Sequence, residues 1–474
     1  MYRFLFSLFF TLATLTSLFA QLKLASIFTD NMVLQQQSKV SIWGWTSASK
    51  TVRVTSSWDK KTITAKADAN GRWKINLQTP SAGGPYQVTI SDGHTISLKN
   101  ILIGEVWLCS GQSNMEMPMK GFKGQPITGS NEAILKSTNR NIRVYTVPRG
   151  ATTTAQENSK PSVWKEAAPE AISNFSATAY YFGKELNELL NTPIGLINVS
   201  YGGSPIESWM DTETLAGFPE IKLPLATDSI KSPNRTPTAL YNAMLHPVIG
   251  YGIKGIIWYQ GESNYDRPDQ YETVFPAMVK QWRTLWQAPD LPFYFTQIAP
   301  YNYAQLPPYS VGGKYNSAYL RDAQRKSVDK IPNSAMAVVL DAGEENNIHP
   351  ANKKVVGERL ALLALAKTYG LKGFGYESPT YDTLSIANGI VEAKFKNAGN
   401  WLTSYGKGLQ LFEIAGKDKI FYPAKAVIYR SSVMVSSPQV KEPVAVRYAF
   451  KDFTTGELFS TEGLPVSSFR TDNW

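Results

Sequence analysis

Between Gln21 and about Lys99, apolar and polar residues alternate in short runs: Val40-Ser41-Ile42-Trp43-Gly44-Trp45, Thr51-Val52-Arg53-Val54, Trp73-Lys74-Ile75-Asn76-Leu77 and Tyr86-Gln87-Val88-Thr89-Ile90. Period two turns one side of a segment to a core and the other to water, as a strand does. Asn70-Gly71 and Asp92-Gly93 lie between runs as hairpin turns. Residues 21–99 are therefore predicted to be a small β-sandwich. After residue 100 the pattern changes. Ile101–Cys109, Pro193–Val199, Ile253–Tyr259, Pro292–Ile298 and Ala335–Leu340 are apolar runs of strand length. Between them, Ser176–Leu190 sets Phe182, Leu186, Leu189 and Leu190 on one face, and Gln270–Trp286 repeats apolar residues at helical spacing. Lys353–Tyr369 reads as a last helix, closed by Gly370. Strands apolar throughout, alternating with helices, predict a five-stranded parallel sheet covered on both faces over residues 100–370. Short strands return from residue 371 to 474, among them Ile390–Phe395 and Val444–Tyr448, and predict a β-rich C-terminal module. Residues 118–170, rich in Thr, Ser, Lys and Pro, read as a long connection at the rim of the sheet.

Residues 1–20 carry one charge, Arg3, before an almost wholly apolar run from Phe4 to Leu18, with small residues at Ser17 and Ala20. This is the layout of a secretory signal peptide, too short and weakly flanked for a lasting span. It predicts export to the periplasm or beyond the cell, with no membrane attachment after cleavage. The single cysteine, Cys109, allows no internal disulfide and sits in an apolar run, so it reads as buried and inert. The net charge of +10 comes from dispersed residues without a basic run, which argues against a nucleic-acid partner and leaves a mild attraction to acidic glycans. Twelve Trp and twenty-four Tyr suit the apolar faces of sugars, although β-rich cores use them too.

Parallel sheets present their chemistry at the carboxyl ends of the strands. After Cys109 comes Ser110-Gly111-Gln112-Ser113-Asn114-Met115. A serine at a strand-to-helix turn has its hydroxyl raised into the crevice beside amides that can receive an oxyanion, though a plain tight turn has the same composition. After Val199 comes Tyr201-Gly202-Gly203-Ser204-Pro205-Ile206-Glu207-Ser208-Trp209, where paired glycines let backbone approach a ligand. After Tyr259 comes Gln260-Gly261-Glu262-Ser263-Asn264. Gln260 and Asn264 carry amides able to donate to an oxyanion, and Glu262 is either a general base or a loop anchor. An active serine needs a base, and there are only three histidines. His94 lies in the N-terminal module and His246 leads into the third strand. His349, in Asn346-Asn347-Ile348-His349-Pro350, follows the fifth strand, from where a base reaches the first strand's serine.

These four blocks, Gly-Gln-Ser-Asn-Met, Gly-Gly-Ser-Pro-Ile-Glu-Ser-Trp, Trp-Tyr-Gln-Gly-Glu-Ser-Asn and Ile-His-Pro, resemble the sialate O-acetylesterase family of SGNH-type hydrolases. The likeness extends over the N-terminal module and the closing Phe469-Arg470-Thr471-Asp472. It implies a three-layer α/β/α domain with Ser113 as nucleophile and His349 as base. The implied oxyanion hole is the Ser113 amide, the Gly203 amide in preference to that of Gly202, and the Gln260 side chain. Asn114, Trp209, Glu262 and Asn264 are the candidates for substrate contact. The implied reaction is acetyl-ester hydrolysis without metal or organic cofactor, and no metal-ligand cluster stands out in the sequence. The implied substrate is an O-acetylated carbohydrate: an O-acetylated sialic acid first, acetylated xylan or another plant glycan second. One departure is plain. Many SGNH hydrolases carry an aspartate three residues before the histidine, and here that position is Asn346. Either the acid comes from elsewhere, Asp341 first with Glu344 and Glu345 behind it, or the histidine has a neutral or backbone orienter. A non-catalytic glycan-binding protein is the alternative of another class. The absent acid favours it, and the retention of Ser113, Gln260 and His349 together speaks against it.

Overall fold

The computed structural model describes residues 21–306 and 316–474; the expected signal peptide at 1–20 lies outside them. At its centre are seven strands of an eleven-stranded sheet, whose other four come from the N-terminal residues: β1 (Thr95–Gly111), β2 (Asn139–Thr146), β3 (Lys165–Ala167), β4 (Ile194–Ser200), β5 (Gly255–Tyr259), β6 (Phe293–Thr296) and β7 (Ser334–Ala337), in the order β3-β2-β4-β1-β5-β6-β7. All neighbours are parallel except β3, which runs antiparallel on the edge beside β2. The expectation of five parallel strands is thus corrected to six, and the extra strand, β2, lies inside the stretch read as a long connection. Arg143 hid it. A charge in mid-strand spoils an apolar pattern, yet Arg143 is only 2% exposed, because Arg140 O, Asn31, Asn100 and Glu166 surround its guanidinium.

Side chains alternate across the sheet into two cores. Trp107, Cys109, Ile257 and Tyr259 pack under α2 (Ala177–Leu190) and α5 (Lys353–Lys367). Leu108, Ile256, Trp258 and Phe295 pack under α3 (Pro268–Leu285) and α4 (Ser317–Lys330). Helix α4 carries too few apolar residues for the sequence pattern to show it. Arg321 on α4 is fully buried and donates to Ser468 and to the carbonyls of Ala449, Lys451 and Asp452, so a charge moors the C-terminal strands to the sheet. Those strands form two four-stranded antiparallel groups and one two-stranded pair between Thr380 and Arg470.

Strand β1 sets the position of the serine. Its first part pairs antiparallel with Gly83–Ser91 of the N-terminal strands. Its second part, Ile101–Gly111, is buried at every residue and runs through the middle of the parallel sheet. One unbroken strand therefore crosses the expected boundary at residue 99.

Candidate active site

At the end of β1 the chain turns sharply at Gly111, whose φ is +141°. A Cβ there would stand 2.1 Å from the Tyr259 carbonyl, so only glycine fits. Gln112 N donates to that same carbonyl at 3.0 Å, and its side-chain oxygen accepts from Ser263 N at 3.2 Å. The first and third blocks are stitched together. Ser113 is the first residue of the short helix α1 (Ser113–Glu116). Gln112 makes no side-chain cap, and its carbonyl takes only the amides of Met115 and Glu116, at 3.0 and 2.9 Å, so those of Ser113 and Asn114 are left for a ligand or solvent.

Ser113 and His349 share the wall of one cavity of about 340 Å³ with Gly202, Gly203, Arg149 and Glu262. His349 Nδ1 lies 2.7 Å from Gln125 Oε1. An amide oxygen only accepts, so Nδ1 carries the proton and Nε2 is left as the basic nitrogen. Burial, and then the charge of Lys353, hold the His349 imidazolium down to about 4, so the ring is neutral at pH 7.

Asp341 is elsewhere. Its two oxygens take a bidentate pair from Arg359 at 2.6 and 2.7 Å, which occupies it as an anchor of the β7–α5 loop. Asn346 accepts from Gln305 at 2.7 Å on the exposed side. Glu344 and Asn347 hold the histidine loop through Ala351 N and His349 N, at 2.6 and 3.1 Å, and Glu345 is exposed. Gln125 was missed because nothing in its local sequence sets it apart from a turn.

The second block is braced from below. Gly202 N donates to Glu116 at 2.8 Å, which leaves the Gly203 amide, at φ +70°, as the one without a carboxylate acceptor. Gln260 is fully buried and is not in the cavity wall; its Nε2 donates to Ser204 O at 3.2 Å and to Asn264 Oδ1 at 2.6 Å. Asn264 also accepts from Ile206 N at 2.9 Å, and Trp209, likewise buried, donates to Ser204 Oγ at 2.9 Å. Gln260, Asn264 and Trp209 thus hold the glycine loop rather than face the cavity.

A buried polar chain joins the remaining blocks. Asn114 donates to Glu262 at 2.5 Å and to Ile348 O at 3.1 Å. Lys353, fully buried, donates to Asn114 Oδ1 at 2.6 Å and to Pro350 O at 2.7 Å. The two carbonyls flank His349, so Asn114 and Lys353 clamp the histidine loop to the serine turn. Burial pushes Lys353 down to about 7, against the pull of Glu262 and Glu344. Burial also raises the Glu262 carboxyl, against Asn114 and Lys353.

Residues 103–366, more than half of the chain, match the family described as carbohydrate esterase, sialic acid-specific acetylesterase. The chain belongs to this family. Human sialate O-acetylesterase is 30% identical over 398 residues, covering 77% of this chain and 74% of the human one. The mouse sialate O-acetylesterase is 27% identical over 90% of this chain and 89% of its own. Among solved structures, a carbohydrate acetylesterase from Xanthomonas citri superposes with a TM-score of 0.86 at 35% identity, over 96% of this chain and 100% of that one. As a member of this esterase family the protein is a carboxylic ester hydrolase, and the family's substrates are acetylated carbohydrates. Among the described residues no helix is long and apolar enough to cross a membrane, and no group of metal-ligating side chains is found.

Proposed function

We propose that the protein is an exported serine esterase that removes O-acetyl groups from glycans, O-acetylated sialic acids first, through a Ser113–His349 acyl-enzyme mechanism. The observation that carries this reading is the His349–Gln125 hydrogen bond in the cavity that Ser113 lines, because it leaves a neutral, basic Nε2 for the serine. His349 takes the Ser113 proton as Oγ attacks the acetyl carbonyl. The oxyanion is met by the Ser113 and Gly203 amides, rigid because Gln260, Asn264 and Trp209 fix the glycine loop. The proton then passes from His349 to the departing sugar oxygen. A water, deprotonated by the same nitrogen, releases acetate and restores Ser113. Gln125 does part of what a carboxylate does in a triad: it fixes the tautomer but adds no charge to stabilise the imidazolium.

The apolar leader at 1–20 supports export, and the family supports an acetylated sugar. Residues 21–99 and 371–474 are read as flanking modules. Acetate release from O-acetylated sialoglycans and from acetylated xylan, compared at equal ester concentration, tests the substrate. Higher kcat/KM on the sialoglycans is expected; a preference for xylan would move the assignment to a plant-glycan esterase.

A further inference from the structure

A second cleft lies on the N-terminal strands, away from Ser113. Strands Lys39–Trp45 and Arg72–Gln78 pair antiparallel, with Trp43 opposite Lys74 and Trp45 opposite Arg72. Alternate residues share a face, so these four side chains stand together while Val40, Ile42, Ile75 and Leu77 fill the core behind them. The turn His246–Ile249 and Glu157 close the opposite side and leave about 430 Å³, the size of a small-ligand site.

The walls are built. Trp45 Nε1 donates to Glu157 at 3.3 Å, and Arg72 forms an ion pair with the same carboxylate. Trp43 is held edge-on by Phe28, with ring centres 4.6 Å apart. His246 Nδ1 lies 2.7 Å from Gln156 O. Arg72 already balances Glu157, and Asp68 accepts from the amides of Asn70 and Arg72 in its own turn. Lys66 and Lys74, also in the wall, have no carboxylate partner among the described residues. The cleft therefore combines fixed, half-buried indoles with three cations, Lys66, Arg72 and Lys74, against the two carboxylates of Asp68 and Glu157, a surplus of one positive charge. Indole faces suit the apolar face of a pyranose ring, and the ammonium groups suit a carboxylate and its neighbouring hydroxyls. Neutral sugars would leave the surplus charge unanswered.

We propose that this cleft is a second saccharide site that takes an anionic sugar residue, its ring on Trp43 and Trp45 and its carboxylate on Lys66 and Lys74. The choice of ligand rests on the reading of the protein as a glycan esterase. The segment between β2 and β3 supplies Arg149 to the Ser113 cavity and Glu157 to this cleft, so one connection lines both.

Calorimetric titration of the full chain with 3′-sialyllactose, which has no ester to hydrolyse, tests the site independently of turnover. Failure of the esterase reading would show only in acetate release. Binding of sialyllactose and at least about tenfold weaker binding of lactose are expected. The exposed pair Lys66→Glu and Lys74→Glu should weaken sialyllactose by at least about tenfold with an unchanged thermal midpoint, and Trp45→Ala should weaken it similarly. No heat from sialyllactose, equal affinity for lactose, or undiminished binding by the folded double variant would overturn the proposal.

Discussion

Replacing Gln125 with glutamate converts a neutral partner of His349 into a charged one at the same place. The two groups are in hydrogen-bond contact at 2.7 Å. With charge centres about 4 Å apart and an effective dielectric of about 20, a carboxylate would favour the imidazolium by about 4 kcal/mol. That corresponds to about three pKa units at about 1.36 kcal/mol each, and part exposure of the site brings the expectation to about one to three. The imidazolium starts at about 4, so in Gln125→Glu it should titrate between about 5 and about 7. A general base works only when neutral, so the acid limb of kcat/KM, which reports the free enzyme, should move upward by that amount. The assay is p-nitrophenyl acetate hydrolysis from pH 3.5 to 8.5 with wild type, Gln125→Glu and Gln125→Ala. The alanine variant should keep an acidic limb but lose about tenfold or more in kcat, as a freed ring samples the wrong tautomer. If the glutamate profile overlays that of wild type, Gln125 does not orient the base.

Two further substitutions separate positioning from anchoring. Burial is the larger cause that holds the His349 imidazolium down; Lys353→Met removes the smaller one, the nearby cation, and strips the donor from Asn114 Oδ1 and Pro350 O. The acid limb should rise but stay below the ordinary histidine range, because burial remains, and stability should fall by about 2 kcal/mol or more, read as a lower thermal midpoint; an unmoved limb would exclude Lys353 from the electrostatics of the base. Asp341→Asn breaks a bidentate pair with Arg359, so it should cost about 2 kcal/mol of stability while kcat stays within about twofold. A loss of kcat of about a hundredfold or more would return Asp341 to the catalytic set.

The α/β pattern of the centre was readable because parallel strands are apolar on both faces, and the reactive blocks because they sit where such strands end. Gly111 illustrates why: the turn that raises Ser113 leaves no room at Gly111 for a Cβ beside Tyr259 O, so the glycine two residues before the serine is a steric requirement. Strand β2 was not readable, since Arg143 is satisfied by partners up to 112 residues away. The Gln125–His349 contact spans 224 positions, and no local pattern encodes it. Asp341 stands at a strand end as an acid should, but the arginine that claims it comes from the next helix. Gln260, Asn264 and Trp209 show the same limit. A polar or aromatic residue after a strand can face the ligand or brace the loop that does, and spacing alone does not distinguish the two.

The central claim, that Ser113 carries the acetyl group between sugar and water, is tested most directly by quenching the enzyme during turnover of an O-acetylated sialoglycan and mapping its peptides by mass spectrometry. The expected result is an acetyl group on the peptide containing Ser113, absent from Ser113→Ala, which should also release no acetate above background. Acetate release by Ser113→Ala at the wild-type rate would contradict it.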